Sequence, residues 1–410
     1  MPWWYLFGTI DLYNLYSNNG GKLDTIKRYV LQFPESSNII NFASGVPDPS
    51  TFPLKEIRDA LENVLRERAS EALQYTPSQG VAEYRKSLAN FIYRMRCIKV
   101  SPDNILVVSG AQQAIDLITR LFVDPGDIVL VEEPGYIAAL NVFRVGGAEL
   151  VGIPIDGYGM DVDYMEEMIK GFSRGGRRIK FVYTVATAQN PTGITMNLDR
   201  RRQLVELAYR YNFIVIEDDT YGLLYYGNED IKPLAALDPY GVVIYISSLS
   251  KVLAPSLRLG CIIADTDTIE KLTVLKHITD LTTSSLSQYV ARELIENGVL
   301  ERNIGEIRKL YRRKRNTVVE IIEEEFPKDS SYTNPSGGFF TWIKLNSRID
   351  TEELLERALA RNVIFAPGHG FYCNRDVRDA MRISFSKPSE DQIRIGLNIL
   401  ANLIKMSTTR

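Results

Sequence analysis

The 410-residue chain predicts an α/β fold: a large domain around a mostly parallel sheet, followed by a smaller α+β domain. Three observations carry this expectation. Between residues 105 and 280, short apolar runs alternate with helix-like segments. The runs are near-continuously apolar, as strands buried on both faces are, rather than alternating with polar residues. Beyond residue 325 the rhythm changes to short strands mixed with helices.

Taken in order, residues 1–40 read as an arm plus one helix; MPWWYLFGTIDLY is apolar but lacks a charged leader and is soon interrupted by Asp11 and Asn14. Strands are expected at ILVV (105–108), DIVLVEEP (127–134), KFVYTVAT (180–187), FIVIEDD (213–219), VVIYISS (242–248) and LGCIIAD (259–265). Helices are expected at AQQAIDLITRLF (111–122) and LDRRRQLVELAYRY (198–211). Residues 287–325 look helical over most of their length and carry the chain out of the large domain. GGFFTWIKL, TEELLERALA, NVIFAPG, AMRISFS and a C-terminal helix then make the smaller one.

Hydrophobic residues make up 45%, charged residues 24%, and the net charge is −3, an ordinary globular composition. There is no basic excess to suggest nucleic acid or a membrane surface, and no stretch of spanning length, so a cytoplasmic location is the default. Cys97, Cys261 and Cys373 lie far apart, without any C-x-x-C, and buried apolar thiols are expected rather than disulfides or a zinc cluster. His277 and His369 cannot make an H-x-x-x-H site, so no metal is expected. Lysine, tyrosine, carboxylates and a cofactor remain as carriers of chemistry.

Four motifs follow the carboxyl ends of expected strands, the edge at which open α/β sheets bind ligands. In VVSGAQQAIDLI (107–118) a Gly turn and helix start would aim the N–H groups of Ala111 and Gln112 at a phosphate or carboxylate. In AQNPTGITM (188–196) Asn190 sits in a turn and could donate to an oxygen on a bound ring. In IVIEDDTYG (214–222) three consecutive acids end a buried strand. They would bind magnesium, cap the next helix, or place one carboxylate under a cationic ligand, with Asp218 and Tyr221 spaced to reach one ligand. In ISSLSKVLAPSLRLG (246–260) Ser248 and Ser250 could bond a phosphate, Arg258 could clamp it, and Lys251 could act as a Schiff-base nucleophile. Each motif alone is an ordinary turn, cap or solvated charge. Together they are a parts list for pyridoxal 5′-phosphate, which needs an amine and a buried acid under its ring nitrogen.

With ALQYTPSQG (72–80), QNPTG, EDDTY, SLSK…R and MRISFS, the chain resembles the class I/II aminotransferases of pyridoxal-phosphate fold type I. It is most similar to the branch with 2-aminoadipate (LysN-type), kynurenine and archaeal aromatic aminotransferases. The resemblance runs from NFASGVPDPSTFP (41–53) to MRISFS (381–386). It implies a seven-stranded-type sheet and three parts: an arm and helix over 1–45 packing with the small domain, a cofactor domain over 46–298, and a small domain over 299–410.

The resemblance also implies the site. Lys251 joins the cofactor and later moves the proton; Asp218 pairs with the ring nitrogen; Asn190 and Tyr221 bond the ring hydroxyl oxygen; Tyr136 stacks on the ring. Ala111, Gln112, Ser248, Ser250 and Arg258 hold the phosphate, and Tyr75 reaches the phosphate of a neighbouring subunit, making a homodimer with shared sites. Arg382 takes the substrate α-carboxylate, with Gly45 and Asn190 lining the same pocket. The implied reaction moves an amino group from an L-amino acid (2-aminoadipate, aromatic or branched-chain) to a 2-oxo acid such as 2-oxoglutarate by a ping-pong aldimine/ketimine mechanism.

Departures from the pattern are Ala111, where relatives often carry Ser, Ala186, where many carry Pro, and GGKLDTIKRYV, which replaces a more typical A-S-x-I-R-E helix. A lyase or decarboxylase on the same fold shares the cofactor residues. A ligand-sensing regulator would carry a winged-helix module ahead of NFASG, where only about forty residues without a basic recognition helix stand.

Overall fold

A computed structural model of the chain describes residues 38–345 and 349–408, together with Leu23. The N-terminal arm and helix expected over 1–40, and with them most of GGKLDTIKRYV, otherwise lie outside the described residues. The described chain begins with β1 (Ile40–Asn41) and two helices, α1 (Leu54–Ala72) and α2 (Ala82–Arg96).

Eight strands then build the main sheet: β2 (Ile105–Val108), β3 (Ile128–Glu133), β4 (Glu149–Asp156), β5 (Gly159–Met160), β6 (Ile179–Thr184), β7 (Ile214–Asp218), β8 (Val243–Ser248) and β9 (Gly260–Ile263). The spatial order is β2-β9-β8-β7-β6-β3-β4-β5. Six of these are the apolar runs read from the sequence; β4 and the short β5, a hairpin on one edge, were not expected. The fold is the predicted α/β class with a mostly parallel sheet. The exceptions are β9, antiparallel to both β2 and β8, and β5, antiparallel to β4.

Helices lie between the strands: α3 (Ala111–Phe122), α4 (Ile137–Gly146), α5 (Val162–Arg174), α6 (Leu198–Tyr211), α7 (Leu234–Leu237) and α8 (Thr266–Asp280). The ends of α6 show why this segment is helical and no longer. The Asn197 side chain accepts from the Arg200 N–H at the start, and Asn212 takes the left-handed conformation at the end. Fully buried side chains such as Val107, Leu130, Val182, Val215 and Ile246 fill the sheet's faces, each contributing about 1.5–3 kcal/mol over an exposed state.

Helices α9 (Ser285–Glu296) and α10 (Val299–Glu325) replace the nearly continuous helix expected over 287–325; Gly298, at φ +64°, breaks it. Next come β10 (Ser331–Tyr332), β11 (Phe340–Lys344), α11 (Thr351–Leu359), β12 (Val363–Ile364), β13 (Ala366–Pro367), β14 (Ala380–Ser384) and α12 (Glu390–Thr408). A four-stranded sheet, β10-β11-β14-β13, forms here, while β1 pairs in parallel with β12. Residues 40–48 thereby run from this separate two-stranded pair toward the main sheet, where the Gly45 carbonyl meets Lys251.

One expectation about the thiols is corrected. Cys261 is buried and Cys373 half-buried, but Cys97 is exposed, because it caps α2 in the left-handed conformation. Among the described residues no helix is long and apolar enough to cross a membrane.

Candidate active site

The carboxyl ends of β2, β6, β7 and β8 face one edge of the main sheet. Antiparallel β9 brings its amino end, preceded by Arg258, to the same edge. A cavity of about 450 Å³ opens there, within the range of about 300–1,000 Å³ usual for small-molecule sites. Twelve of the thirteen residues read from the sequence line it: Gly45, Ala111, Gln112, Tyr136, Asn190, Asp218, Tyr221, Ser248, Ser250, Lys251, Arg258 and Arg382. Tyr75 does not; the residue is 75% exposed and is absent from the cavity walls of its own chain.

The three acids at the end of β7 separate by strand alternation. Glu217 accepts from the N–H groups of Leu234 and Ala235 and so caps α7, with Arg201 at 3.7 Å. Asp219 is held by Arg96 at 2.6 and 3.0 Å and by the Tyr245 hydroxyl at 2.8 Å. Asp218 alone enters the cavity. It is 3% exposed and accepts from the Tyr183 hydroxyl at 2.8 Å, Thr220 N–H at 3.1 Å and Thr220 Oγ1 at 2.6 Å. Burial raises its pKa despite those donors. Among the described residues it makes no ion pair, although Lys251 lies near enough to interact with it, so it fits a ligand that brings a positive charge.

Lys251 follows β8. Burial first, and then the nearby Arg382 and Arg258, lower its amine to about 8. Its Nζ donates to the Gly45 carbonyl at 2.7 Å. Arg382, on β14, reaches across from the second sheet: Nη1 donates to Asn190 Oδ1 at 2.8 Å and Nη2 to the Ala43 carbonyl at 2.5 Å. The Phe340 and Phe371 rings lie 4.3 and 5.0 Å from its guanidinium carbon. Its Nε is buried without a hydrogen-bond partner, and no carboxylate pairs with it among the described residues. Burial lowers its pKa to about 10. A buried guanidinium in this condition calls for an anion.

Both backbone carbonyls lie in one segment, and that segment is fixed. Lys314 Nζ donates to Asp48 Oδ2 at 2.7 Å and to the Ser386 carbonyl at 2.6 Å, and Ser386 Oγ donates to the Val46 carbonyl at 2.5 Å. A Cβ at Gly45 would stand 2.9 Å from the Phe340 ring, so a larger residue there would require that ring to shift.

Opposite this cluster is an anion cup. Helix α3 starts at Ala111, so the first N–H groups of its opening turn have no intrahelical acceptor. Gly110 precedes it at φ +87°, where a Cβ would come within 2.8 Å of Arg258 Nη2. The glycine therefore gives both the turn and the room for the guanidinium, whose Nη2 donates to the Ser109 carbonyl at 2.7 Å. Ser248 and Ser250 are buried beside it. Ala111 adds no hydroxyl.

Tyr136 and Tyr221 complete the cavity walls. Burial pushes the Tyr136 phenol up to about 12 and the Tyr221 phenol higher, so both stay protonated donors. Sequence reasoning missed Tyr183 and Thr220, which orient Asp218, and Ile137, Val185, Pro255, Phe340 and Phe371 in the walls. The cup, the cation-seeking carboxylate, the depressed amine and the unpaired guanidinium fit pyridoxal 5′-phosphate and a substrate carboxylate.

Residues 37–400 match the family model described as aminotransferase class I and II. Aromatic-amino-acid aminotransferase 1 of Thermococcus litoralis is 42% identical over 378 residues, covering 92% of this chain and 91% of that one. The 2-aminoadipate transaminase of Thermus thermophilus is 35% identical over 381 residues, covering 92% and 93%. Among solved structures, the multiple substrate aminotransferase of Thermococcus profundus superposes with a TM-score of 0.92 at 38% identity, covering 98% of this chain and 100% of that one. The LysN α-aminoadipate aminotransferase of Thermus thermophilus, complexed with N-(5′-phosphopyridoxyl)-L-leucine, superposes at 0.90 with 33% identity, covering 98% and 100%.

Proposed function

Because the chain belongs to the class I and II aminotransferases, we propose that it moves an amino group between amino and 2-oxo acids in a ping-pong cycle on pyridoxal 5′-phosphate. The donor is an L-amino acid, 2-aminoadipate, aromatic or branched-chain, and the acceptor a 2-oxo acid such as 2-oxoglutarate. The observation that carries this reading is Arg382, a buried guanidinium with Nε unpaired, in one cavity with Lys251 and Asp218. The similarity to aromatic and 2-aminoadipate enzymes supports the choice of donors.

When bound, the cofactor supplies an electron sink for the charge left at the substrate Cα and a temporary store for the amino group. The chain does the rest. Ala111, Gln112, Ser248, Ser250 and Arg258 bind the phosphate. Asp218 would hold a proton on the ring nitrogen, Asn190 and Tyr221 would bond the ring hydroxyl oxygen, and Tyr136 would pack on the ring face. Arg382 receives the substrate carboxylate in a fork that turns the Cα–H bond toward Lys251. Lys251, with its amine at about 8, takes the Cα proton as a base and would deliver it as an acid to the cofactor carbon that carries the nitrogen, which leaves the amino group on the cofactor. Phe340 and Phe371 keep water from the guanidinium.

The same reading includes a homodimer in which Tyr75 serves the partner's site. Leu73, Tyr75, Val274, Ile278 and Leu281 are exposed on neighbouring segments, which the Thr76–Thr282 hydroxyl contact at 2.9 Å ties together. It includes the division at residues 45 and 298, with the main sheet within 105–263 and the four-stranded sheet within 331–384.

The test is product analysis with 2-aminoadipate, phenylalanine or leucine as donor and 2-oxoglutarate as acceptor. Transfer predicts glutamate and the donor's 2-oxo acid in equal amounts, with no turnover when the acceptor is omitted. Acceptor-independent release of ammonia or carbon dioxide would make the protein a lyase or decarboxylase instead.

A further inference from the structure

We propose that Asp280, backed by the buried Lys276, is a positioning residue for the phosphate cup, acting through Gln113 and Ser109 without touching the phosphate. The inference rests on the cofactor reading above.

Asp280 is the last residue of α8. Its Oδ2 accepts from Gln113 Nε2 at 2.7 Å and from Ser109 Oγ at 3.3 Å, while Oδ1 accepts from Lys276 Nζ at 2.6 Å. Gln113 Oε1 accepts the Ser109 N–H at 2.7 Å, and the Ser109 carbonyl in turn accepts from Arg258 Nη2 at 2.7 Å. One carboxylate thus fixes both sides of the Gly110 turn. On one side it holds the first turn of α3, which presents the Ala111 and Gln112 N–H groups; on the other it holds the residue that aims Arg258. The chain reverses at Leu281, φ +63°, and brings Thr283 Oγ1 to 3.4 Å from Ser109 Oγ, adding a further contact on the same residue.

Stability alone is a poor reason for this arrangement. A carboxylate at a helix C-terminus faces the negative end of the helix dipole. The Lys276 side chain is fully buried, and burial pulls its pKa down. Apolar residues would pack at the same place without either cost. The pair supplies an acceptor charged enough to grip Gln113 and Ser109, while Lys276 cancels the field that a bare carboxylate would project onto the bound phosphate.

The test is a titration of Asp280→Asn and Gln113→Leu, each with pyridoxal 5′-phosphate and with pyridoxal, which lacks the phosphate, followed by the absorbance change on binding. The expected result is a dissociation constant about tenfold or more higher for the phosphorylated compound, the scale of one hydrogen bond to a charged group, with pyridoxal unchanged. Gln113→Leu leaves the Lys276–Asp280 pair in place, so it carries the same expectation if Asp280→Asn does not fold. Wild-type affinity for the phosphorylated compound in Gln113→Leu would overturn the proposal. So would an equal loss of both compounds, which marks a merely structural role. Wild-type protein that binds neither compound would overturn the cofactor reading, and this proposal with it.

Discussion

Asp218→Asn separates holding the cofactor from using it. The amide keeps the shape of the carboxylate: Thr220 N–H and Oγ1 can still donate to its oxygen, and the Tyr183 hydroxyl, at 2.8 Å, can turn to accept from its nitrogen. The phosphate cup at Gly110, Ser248 and Arg258 is untouched, so the variant is expected to fold and to bind pyridoxal 5′-phosphate. What it loses, on the proposed role, is the charge that would keep a proton on the ring nitrogen. Two unit charges about 4 Å apart interact by about 4 kcal/mol at an effective dielectric of about 20. At about 1.4 kcal/mol per tenfold, this is a fall of about three powers of ten in the rate of Cα proton removal. The assay is exchange of the Cα hydrogen of phenylalanine or leucine in D₂O, with bound cofactor measured in the same sample. Exchange within tenfold of wild type, with cofactor bound, would refute the role given to Asp218.

Lys251→Met is expected to abolish transfer, and measurable turnover would remove Lys251 from the proton path. In the cofactor-free protein the same change also tests the depressed amine. A folded-state pKa lowered from 10.5 to about 8 means the unfolded chain binds more protons between those values, so wild-type stability rises with pH across that window. Below pH 8 the apo variant should therefore be more stable than apo wild type by up to roughly 3 kcal/mol, with the gap closing by pH 10.5; equal urea midpoints throughout would contradict this. Arg382→Lys keeps a charge but loses the fork to Asn190 and Ala43, and kcat/KM for phenylalanine should fall roughly 30- to 150-fold, read by steady-state kinetics. Gly110→Ala puts a Cβ at φ +87° against Arg258, so a titration should show pyridoxal 5′-phosphate binding at least about tenfold weaker, and unchanged affinity would dismiss the close approach.

Local signals made part of this legible. Helices α3 and α6 end where the sequence places them, residue for residue, because a Gly turn and Asn caps mark their ends. Strands β7 and β8 stood out because Val and Ile crowd a run buried on both faces. The gathering of the four motifs at one edge was legible too, since each follows a strand end and the parallel topology brings such ends together. The division of labour among Glu217, Asp218 and Asp219 was not, because their partners, Leu234, Tyr183 and Arg96, come from distant segments. Phe340 read as an ordinary strand residue in GGFFTWIKL; its wedge against Gly45 and Arg382 exists only once the second sheet docks on the first. Strand β4 escaped because it lies near the sheet edge, carries Gly152 and Pro154, and is only partly buried.

The most direct measurement is an absorbance spectrum of the purified protein with pyridoxal 5′-phosphate, recorded through two additions. Adding 2-aminoadipate, phenylalanine or leucine should bleach the yellow band toward the pyridoxamine form, and 2-oxoglutarate should then restore it without fresh cofactor. Recovery establishes two half-reactions that share one amino group. A yellow protein that no amino acid bleaches, or one that bleaches and does not recover with any 2-oxo acid, would contradict amino-group transfer at this site.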